Sequence, residues 1–575
     1  MAIFAAAGSL GAQLITNTAA VPRTGKPPVV LLSGYQFGCE GNTSFESSFG
    51  AAHTILERDG RPSLFFDNCE QARNEPIEQI GAALGRYLDS LRYTDGQPVA
   101  QVDVVAHSMG GNIVRSYLSG KQPERYTFRP PAEVKIRKAV FLAVPFFGAA
   151  AATLAGAPND EQTRQLTPGS TFLWDLATWN QGTDDLRGVD AVAITGLGGT
   201  GLASGLDNFD DSTVATTSGS IDFLMSDRTR VLQHCHATLS GLFALGCRSG
   251  TPAIARWTDE RHEAARIALS FLNGTADWQS IGQSGAEATQ RGGLFVQVRD
   301  AEDRVVNLRG GEGLNVRGNE IAWSDRLAAG TASFRITPAN GADLSLTAPV
   351  PDGSTRAIIV GTAGPNVGAI FPSAAAVYPR TVAPGMFVSV YGTALAASTE
   401  QAQSQPYPSS LGGTQVLVNG NPVGVHYASP QQVNAVVPEN ANGLVQVTVR
   451  TSQGTRTVNV LVEAAVPALF GAATNAVTGA VITATAPIGR GEYVALYLTG
   501  LGATEQRADG LEWARIQPEV TVGGRPCRMT YAGRAPGYVG LDQVNCQVAA
   551  DAPTGNVEAI VTSGRRSGRT TIPVQ

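Results

Sequence analysis

The sequence predicts a multidomain chain: an N-terminal α/β unit with a mostly parallel, doubly covered sheet, followed by a series of all-β sandwiches. Three observations predict it. In the first half, short apolar runs such as Val29-Val30-Leu31-Leu32 and Val102-Asp103-Val104-Val105 alternate with helical patterns, and strands buried on both faces with helices between them form parallel sheets. From about residue 290 the texture changes to short alternating runs broken by Gly, Asn, Asp and Pro, the spacing of small sandwiches. Residues 374–575 then repeat internally, with Gly385-Met-Phe-Val-Ser-Val-Tyr391 parallel to Gly491-Glu-Tyr-Val-Ala-Leu-Tyr497.

A chain of 575 residues exceeds what one core supports. The expected divisions are a leader-like segment 1–24, the α/β unit 25–278, a small sandwich 288–364, and two repeats at 374–472 and 473–575. A net charge of −6 without a basic patch argues against nucleic acid and anionic membrane as partners. Ala2 to Ile15 is apolar and rich in small residues, like the h-region of an export signal, although no basic residues precede it; Ala12 or Ala20 are candidate cleavage points. It is too short to span a bilayer, and no other segment reaches about eighteen apolar residues, so a soluble, secreted or cell-surface protein is expected. The six cysteines form three near-sequence pairs, Cys39 with Cys69, Cys235 with Cys247 and Cys527 with Cys546. None makes a C-x-x-C motif, and the histidines lack zinc spacing, so disulfides in an oxidising compartment are expected rather than a metal.

The first unit reads as follows. Val29–Leu32 is a strand that opens into Ser33-Gly34-Tyr35-Gln36-Phe37-Gly38, and Ser63–Phe66 is the next. Pro76 starts a helix with Ile77, Ile80, Leu84, Leu88 and Leu91 on one face. Strand 102–106 runs into Ala106-His107-Ser108-Met109-Gly110 and at once into the helical spacing of 112–118. So sharp a strand-to-helix reversal needs small residues two before and two after the serine, here Ala106 and Gly110. It exposes the Ser108 hydroxyl and aims a helix N-terminus at it, where negative charge develops in acyl transfer. Ala139–Ala143 and Ala191–Ile194 are further strands, and a helix over Thr258–Leu272 closes the unit.

A serine hydroxyl needs a base. After the strand ending at Ile194 the chain supplies Asp207 to Val214, then His234-Cys235-His236. Of six histidines these two alone stand in the expected place; His107 is expected to point away, and His53, His262 and His426 lie in helical or distant contexts. Asp211 is the first choice for the orienting carboxylate and Asp210 the second; His236 comes before His234; Asp207 reads as a loop cap. A Cys235–Cys247 bridge would pin the histidine loop.

On these motifs residues 28–275 resemble secreted α/β-hydrolases of the bacterial lipase kind, with Ala replacing the first Gly of the elbow. Ala106 to Gly111, Asp211 three before Val214 with Ser218 beyond, His236-Ala-Thr-Leu239 and Leu166-Thr-Pro-Gly-Ser-Thr-Phe-Leu173 carry the resemblance. It implies ester hydrolysis through an acyl-serine, with Ser108 as nucleophile, His236 as general base and acid, and Asp211 holding the imidazole. It also implies an oxyanion hole from the backbone N–H groups of Met109 and Tyr35, whose side chains are incidental. Ser33-Gly34 stands where the family has His-Gly before the latter donor. No cofactor is called for; a small-molecule, lipid or polymer ester is the expected substrate, and a monomer is expected. The same fold also acts on polyesters, thioesters, amides or glycolipid acyl groups, and a surface adhesin with a vestigial catalytic unit is the reading of another class.

Residues 145–190 are long for a crossover. Pro145-Phe146-Phe147-Gly148, the small-residue run 149–157, Phe172-Leu173-Trp174 and Trp179 make either an apolar lid whose aromatics receive an acyl chain or a cap that packs without touching substrate. Gly196 to Gly201 lacks the helix and acidic partner of a phosphate cradle. Runs such as Leu294–Arg299 and Ala332–Ile336 make the 288–364 sandwich, read as a spacer. In the repeats, Val418-Asn-Gly-Asn-Pro422 parallels Val522-Gly-Gly-Arg-Pro526 and Gln432-Val-Asn434 parallels Gln543-Val-Asn545, which sets Cys527 and Cys546 where the first copy has Val423 and Ala435. Two immunoglobulin-like sandwiches of about six strands each are expected, the second with its own cross-strand or intersheet bridge. This part resembles the uncharacterised acidobacterial C-terminal domain family attached to many exported proteins, through Leu411-Gly-Gly-Thr, Tyr427-Ala-Ser-Pro-Gln-Gln-Val-Asn434, Tyr531-Ala-Gly and Pro536 to Asn545. The resemblance implies fold and export but no activity; contact with a cell surface or polymer is the partner role expected of these domains.

Overall fold

A computed structural model describes residues 15–16, 20–36, 39, 45–154, 157–201, 209–237, 246–374 and 381–575. Most of the leader-like stretch, Phe37-Gly38, Asp207 and Leu239 lie outside the described residues. These fall into two compact units, one within 1–179, 183–297 and 306–358, the other within 180–182, 298–305 and 359–575.

The first unit is built on an eight-stranded sheet. In chain order its strands are β1 Ile15–Thr16, β2 Val29–Leu32, β3 Ser63–Phe66, β4 Val102–His107, β5 Ile136–Leu142, β6 Asp190–Gly196, β7 Thr229–Leu232 and β8 Gln283–Ser284. Their spatial order is β1-β3-β2-β4-β5-β6-β7-β8. Every pairing is parallel until β8, which runs antiparallel to β7. The apolar runs of β2, β3 and β4 are buried throughout, as strands covered on both faces must be. β7, Thr-Arg-Val-Leu, carries no apolar run and was not predicted; it is the strand that delivers His234 and His236.

Helix α1 spans Ile77–Ser90 with Pro76 at its N-cap. Helix α2 spans Met109–Ser119 and ends at Gly120 in the left-handed conformation. Helices α3 Glu161–Leu166 and α4 Thr171–Thr178 lie in the 145–190 segment. The closing helix α5 spans Glu263–Asn273 rather than starting at Thr258. Asp259 Oδ1 accepts the Arg261 N–H at 2.7 Å, a local bond that competes with helix formation, and His262 caps the helix in a non-helical conformation. Ala264, Ile267, Ala268 and Phe271 of α5 pack on Val105, Val140 and Val192 of the sheet, each large side chain contributing roughly 1.5–3 kcal/mol by burial.

The sandwich that follows pairs Arg291–Arg299 with Ile321–Ala328 and Thr355–Gly361 in one sheet, and Gly330–Pro338 with Leu308–Glu312 and Leu344–Val350 in the other. It packs against the rest of the first unit. Within the first unit Thr217 Oγ1 donates to the Asp325 carbonyl at 3.2 Å, Thr355 Oγ1 donates to the Thr217 carbonyl at 3.1 Å, and Phe295 packs edge-on against Phe147 at 5.2 Å.

The second unit holds the two repeats. The first forms a five- and a four-stranded sheet, the second a six- and a four-stranded sheet. The excess over six strands comes from two- and three-residue strands such as Glu400–Gln401 and Thr504–Gln506, too short to leave a pattern, and from one further strand in each copy, Asn366–Pro372 and Ala468–Asn475, which begins before the expected boundary. The repeat register holds bond for bond: Val423 N–H donates to the Val416 carbonyl at 2.9 Å, and Cys527 N–H to the Val520 carbonyl at 2.8 Å. Cys527 stands where the chain passes from a strand of the four-stranded sheet, Arg525–Pro526, to one of the six-stranded sheet, Arg528–Arg534, and its partner Cys546 lies on the strand that pairs with the latter.

Candidate active site

The turn from β4 into α2 is as tight as its sequence demands. Ser108 has φ 54° and ψ −127°, a strained conformation for a residue with a side chain, of the kind that clusters at functional sites. A Cβ on Gly110 would lie 2.7 Å from the Leu32 carbonyl oxygen, so the position two after the serine admits only glycine.

Three side chains from separate loops meet here. Ser108 Oγ lies 2.9 Å from His236 Nε2, and His236 Nδ1 lies 2.9 Å from Asp211 Oδ2. Asp211 Oδ1 accepts the N–H groups of Thr213 and Val214 at 3.0 and 2.8 Å. A carboxylate so placed accepts a proton-bearing Nδ1, which leaves Nε2 as the acceptor for the Ser108 hydroxyl. The two loops are also joined through backbone, His236 N–H donating to the Asp211 carbonyl at 2.8 Å. Asp211 is fully buried, and Ser108 and His236 nearly so.

The second-choice residues are not part of this chain of bonds. Asp210 Oδ1 accepts the Ser212 N–H at 2.7 Å. His234 lies edge-on against His262 at 5.0 Å, with Nδ1 3.8 Å from Glu263 Oε2; burial, then the His262 charge, push its pKa down to about 4. The glycine run after β6 has a steric role. A Cβ at Gly196 would lie 2.3 Å from the His234 carbonyl oxygen and one at Gly199 1.8 Å from Asp210 Oδ1, so this run lets the acid and histidine loops close on the sheet.

His107 does not point away. Its ring packs 4.8 Å from that of His236, and its Nε2 lies 3.0 Å from the His236 carbonyl oxygen. An acceptor there requires Nε2 to carry the proton. Burial, then the His236 charge, lower its pKa to about 3, so it is neutral. The expectation failed because side chains alternate across regular strand only, and the chain leaves that geometry at Ser108.

Met109 is the first residue of α2, where backbone N–H groups lack intrahelical partners. Loop 33–36 runs against the serine: a Cβ on Gly34 would lie 2.7 Å from Ser108 Cβ. The Tyr35 side chain is not incidental. Its hydroxyl donates to Asp160 Oδ2, and Asp160 Oδ1 caps α3 through the Thr163 N–H at 2.8 Å. Burial and that bond raise the Tyr35 pKa to about 12. The sequence did not single out Asn68 and Gln36, which brace this loop: Asn68 Nδ2 donates to the Gly34 carbonyl at 3.3 Å, and Gln36 Nε2 to Asn68 Oδ1 at 2.7 Å. Their only signal is the Asp67 cap that starts the helix holding Asn68. Disulfides join Cys39 to Cys69, next to Asn68, and Cys235 to Cys247, next to His236.

A cavity of about 370 Å³ opens on Ser108 and His236. Its lining is mostly small and apolar, including Ala149, Ala151, Ala157 and Leu166, with Gln36 and Arg256 among its polar members. Trp174 and Trp179 are fully buried and Phe172 nearly so, and none of them reaches the cavity. The aromatics of 145–190 therefore pack the cap, while its small residues face the cavity. Among the described residues no group of three or more His, Cys, Asp or Glu is placed to hold a metal ion, and no helix is long and apolar enough to cross a membrane.

The model of the IPT/TIG domain family matches residues 372–463, the first sandwich repeat. No curated protein matches the chain. Among solved structures it is similar to phospholipase PlaB from Legionella pneumophila in complex with thio-NAD, at 14% identity over 58% of this chain and 93% of that one, with a TM-score of 0.42. It is also similar to EstA from Clostridium botulinum, at 12% identity over 31% and 62% of the two chains and a TM-score of 0.23. A third is the Bacteroides ovatus SGBP-B in complex with a mixed-linkage heptasaccharide, at 14% identity over 50% and 61% and a TM-score of 0.20. At these values none of the three bears on function.

Proposed function

We propose that the chain is an exported serine hydrolase that cleaves carboxylic esters, lipids or other acyl esters, through an acyl-serine intermediate. The observation that carries this reading is the unbroken series of hydrogen bonds from Asp211 through His236 to Ser108, facing a largely apolar cavity. Ser108 Oγ attacks the ester carbonyl carbon as its proton passes to His236 Nε2. The oxyanion is received by the Met109 and Tyr35 backbone N–H groups, either of which is worth about a hundredfold to a thousandfold in rate. Collapse expels the alcohol with the proton from His236, and water attacks the acyl-serine by the same route in reverse. Asp211 holds the imidazole in the productive tautomer. Three disulfides fit an oxidising compartment, which supports export.

The test is turnover of a short-chain nitrophenyl ester together with labelling by a fluorophosphonate. Ser108→Ala is expected to abolish both. Unlabelled wild-type protein, or full turnover in the variant, would place the nucleophile elsewhere or favour the adhesin reading.

A further inference from the structure

The two sandwich repeats share more than a core. In the first, Tyr391 pairs in register with Gln432, and Asn434 follows two residues on. In the second, Tyr497 pairs with Gln543, and Asn545 follows. Both copies make the same side-chain bond, Gln432 Nε2 to Asn434 Oδ1 and Gln543 Nε2 to Asn545 Oδ1, each at 2.8 Å. Even the β-bulge on the neighbouring strand recurs, before Tyr427 in one copy and before Tyr531 in the other.

These residues face away from the core. Val388, Val390, Val433 and Ala435 alternate with them and are buried in the first copy, as Val494, Leu496, Val544 and Cys546 are in the second. The comparison between copies is therefore informative. Two of the four core positions have changed, Val390 standing opposite Leu496 and Ala435 opposite Cys546, while Val388 and Val433 match Val494 and Val544, and outward Ser389 is Ala495. The outward Tyr, Gln and Asn are identical, although Tyr391 is 41% exposed and the amides are half-buried. Exposed surface positions tolerate substitution within about 0.5 kcal/mol, so folding alone does not demand a tyrosine at 391.

The chemistry of the face narrows what it holds. The register row Phe371, Ser389, Asn434, Tyr427, Gln401 crosses all five strands of the first copy and carries no charge. Its counterpart Thr474, Ala495, Asn545, Tyr531 carries none either. Once Gln Nε2 is bonded to Asn Oδ1, the Gln Oε1 acceptor and the Asn Nδ2 donor have no side-chain partner among the described residues. A flat phenol ring beside one outward acceptor and one outward donor suits a ligand with an apolar ring face rimmed by hydroxyls. The uncharged rows that carry the Tyr, Gln and Asn suit a neutral one, Arg528 entering only in the next row of the second copy with Tyr493 and Gln547, and rows built twice suit a ligand that is itself a repeat.

We infer that this repeated face is a binding site for a neutral polysaccharide, each copy stacking a sugar ring on its Tyr and bonding the hydroxyls with its Gln and Asn. Trp513, in register with Gly533 beside Gln543, borders the second copy's site but is covered by the Arg507 guanidinium at 4.6 Å and bonded to Asp509 Oδ2 at 2.9 Å, so the tyrosine is the stacking ring. The site is independent of the ester chemistry.

The test is retention of the full-length protein on insoluble cellulose and chitin, with polygalacturonate and heparin matrices as charged comparators. Retention on a neutral matrix is expected. Two linked sites raise avidity by about 10²–10⁴-fold, so Tyr391→Ala alone should weaken binding about a hundredfold, and Tyr391→Ala with Tyr497→Ala should abolish it at an unchanged melting temperature. Gln432→Ala with Gln543→Ala, which removes little packing, is the second variant if the tyrosine pair misfolds, and should also release the protein. Absence of retention on both neutral matrices overturns the proposal, as does equal retention on the charged ones or retention that survives both double variants. A concentration-dependent dimer that the variants dissolve, without glycan retention, would assign the face to a second copy of the chain and likewise overturn it.

Discussion

The backbone carbonyl of His236 accepts the Nε2–H of His107 at 3.0 Å, while the two imidazoles pack 4.8 Å apart. One residue before Ser108 thereby holds the main chain of the residue whose ring bonds Ser108. A neutral His107 also avoids setting a second cation beside the imidazolium that forms when His236 takes the serine proton. His107→Phe keeps the ring but leaves a buried carbonyl unsatisfied, which costs about 1–3 kcal/mol. The expected result is a lower melting temperature and a lower kcat with KM little changed; equal kcat at full stability would show that the bond positions nothing.

Asp211→Asn is expected to lower kcat by about 10⁴ with little effect on KM, because an amide in that place no longer enforces the Nδ1–H tautomer. Steady-state kinetics on a soluble ester check this. Asp210→Asn, whose carboxylate serves the Ser212 N–H instead, should cost far less.

Stability should fall in mild acid. Burial lowers the pKa of His107 to about 3, that of His234 to about 4, and that of His262 as well, against about 6.5 in the unfolded chain. The unfolded state then binds more protons as pH drops, so this contribution is fully present above about pH 6.5 and is lost progressively as pH falls toward 4 and below. Denaturant unfolding at pH 7.5, 5.5 and 4.5 measures the slope. His234→Gln should flatten it between pH 6.5 and 4, and an unchanged slope would show that His234 does not contribute.

The second sandwich should survive loss of its bridge. Val423 and Ala435 fill the positions of Cys527 and Cys546 in the first copy and are buried there. Cys527→Val with Cys546→Ala should therefore fold, melt at a lower temperature by an amount corresponding to at most about 3 kcal/mol, and keep full turnover. Calorimetry and an ester assay follow both.

Ala151 lies in the wall of the cavity. Ala151→Phe should reduce kcat/KM for medium-chain esters more than for acetate esters, since the added ring occupies acyl space without touching Ser108. A chain-length series that shifts uniformly would remove Ala151 from the acyl side.

Residues whose signal is local were legible in the sequence. The run Val102–Val105, the small residues flanking Ser108, and the order of serine, acid and histidine along the chain are each written in a few consecutive letters. β7 was not legible, because Thr-Arg-Val-Leu lacks the apolar run that marks a buried strand. The role of Asn68 and Gln36 was not legible either, since a polar brace between loops has no periodicity.

The sequence by itself determined where the chain turns, which runs are buried and which few residues are chemically able to act, because these follow from side-chain volume, polarity and spacing within one segment. Tertiary structure alone brought Asp211 rather than Asp210 to His236, and His236 rather than His234 to Ser108, turned His107 inward, and gave the cavity wall to alanines rather than tryptophans. Neighbours one or two positions apart have nearly the same composition around them, and only the closing of distant loops onto one sheet, with each buried polar group seeking its partner, separates them.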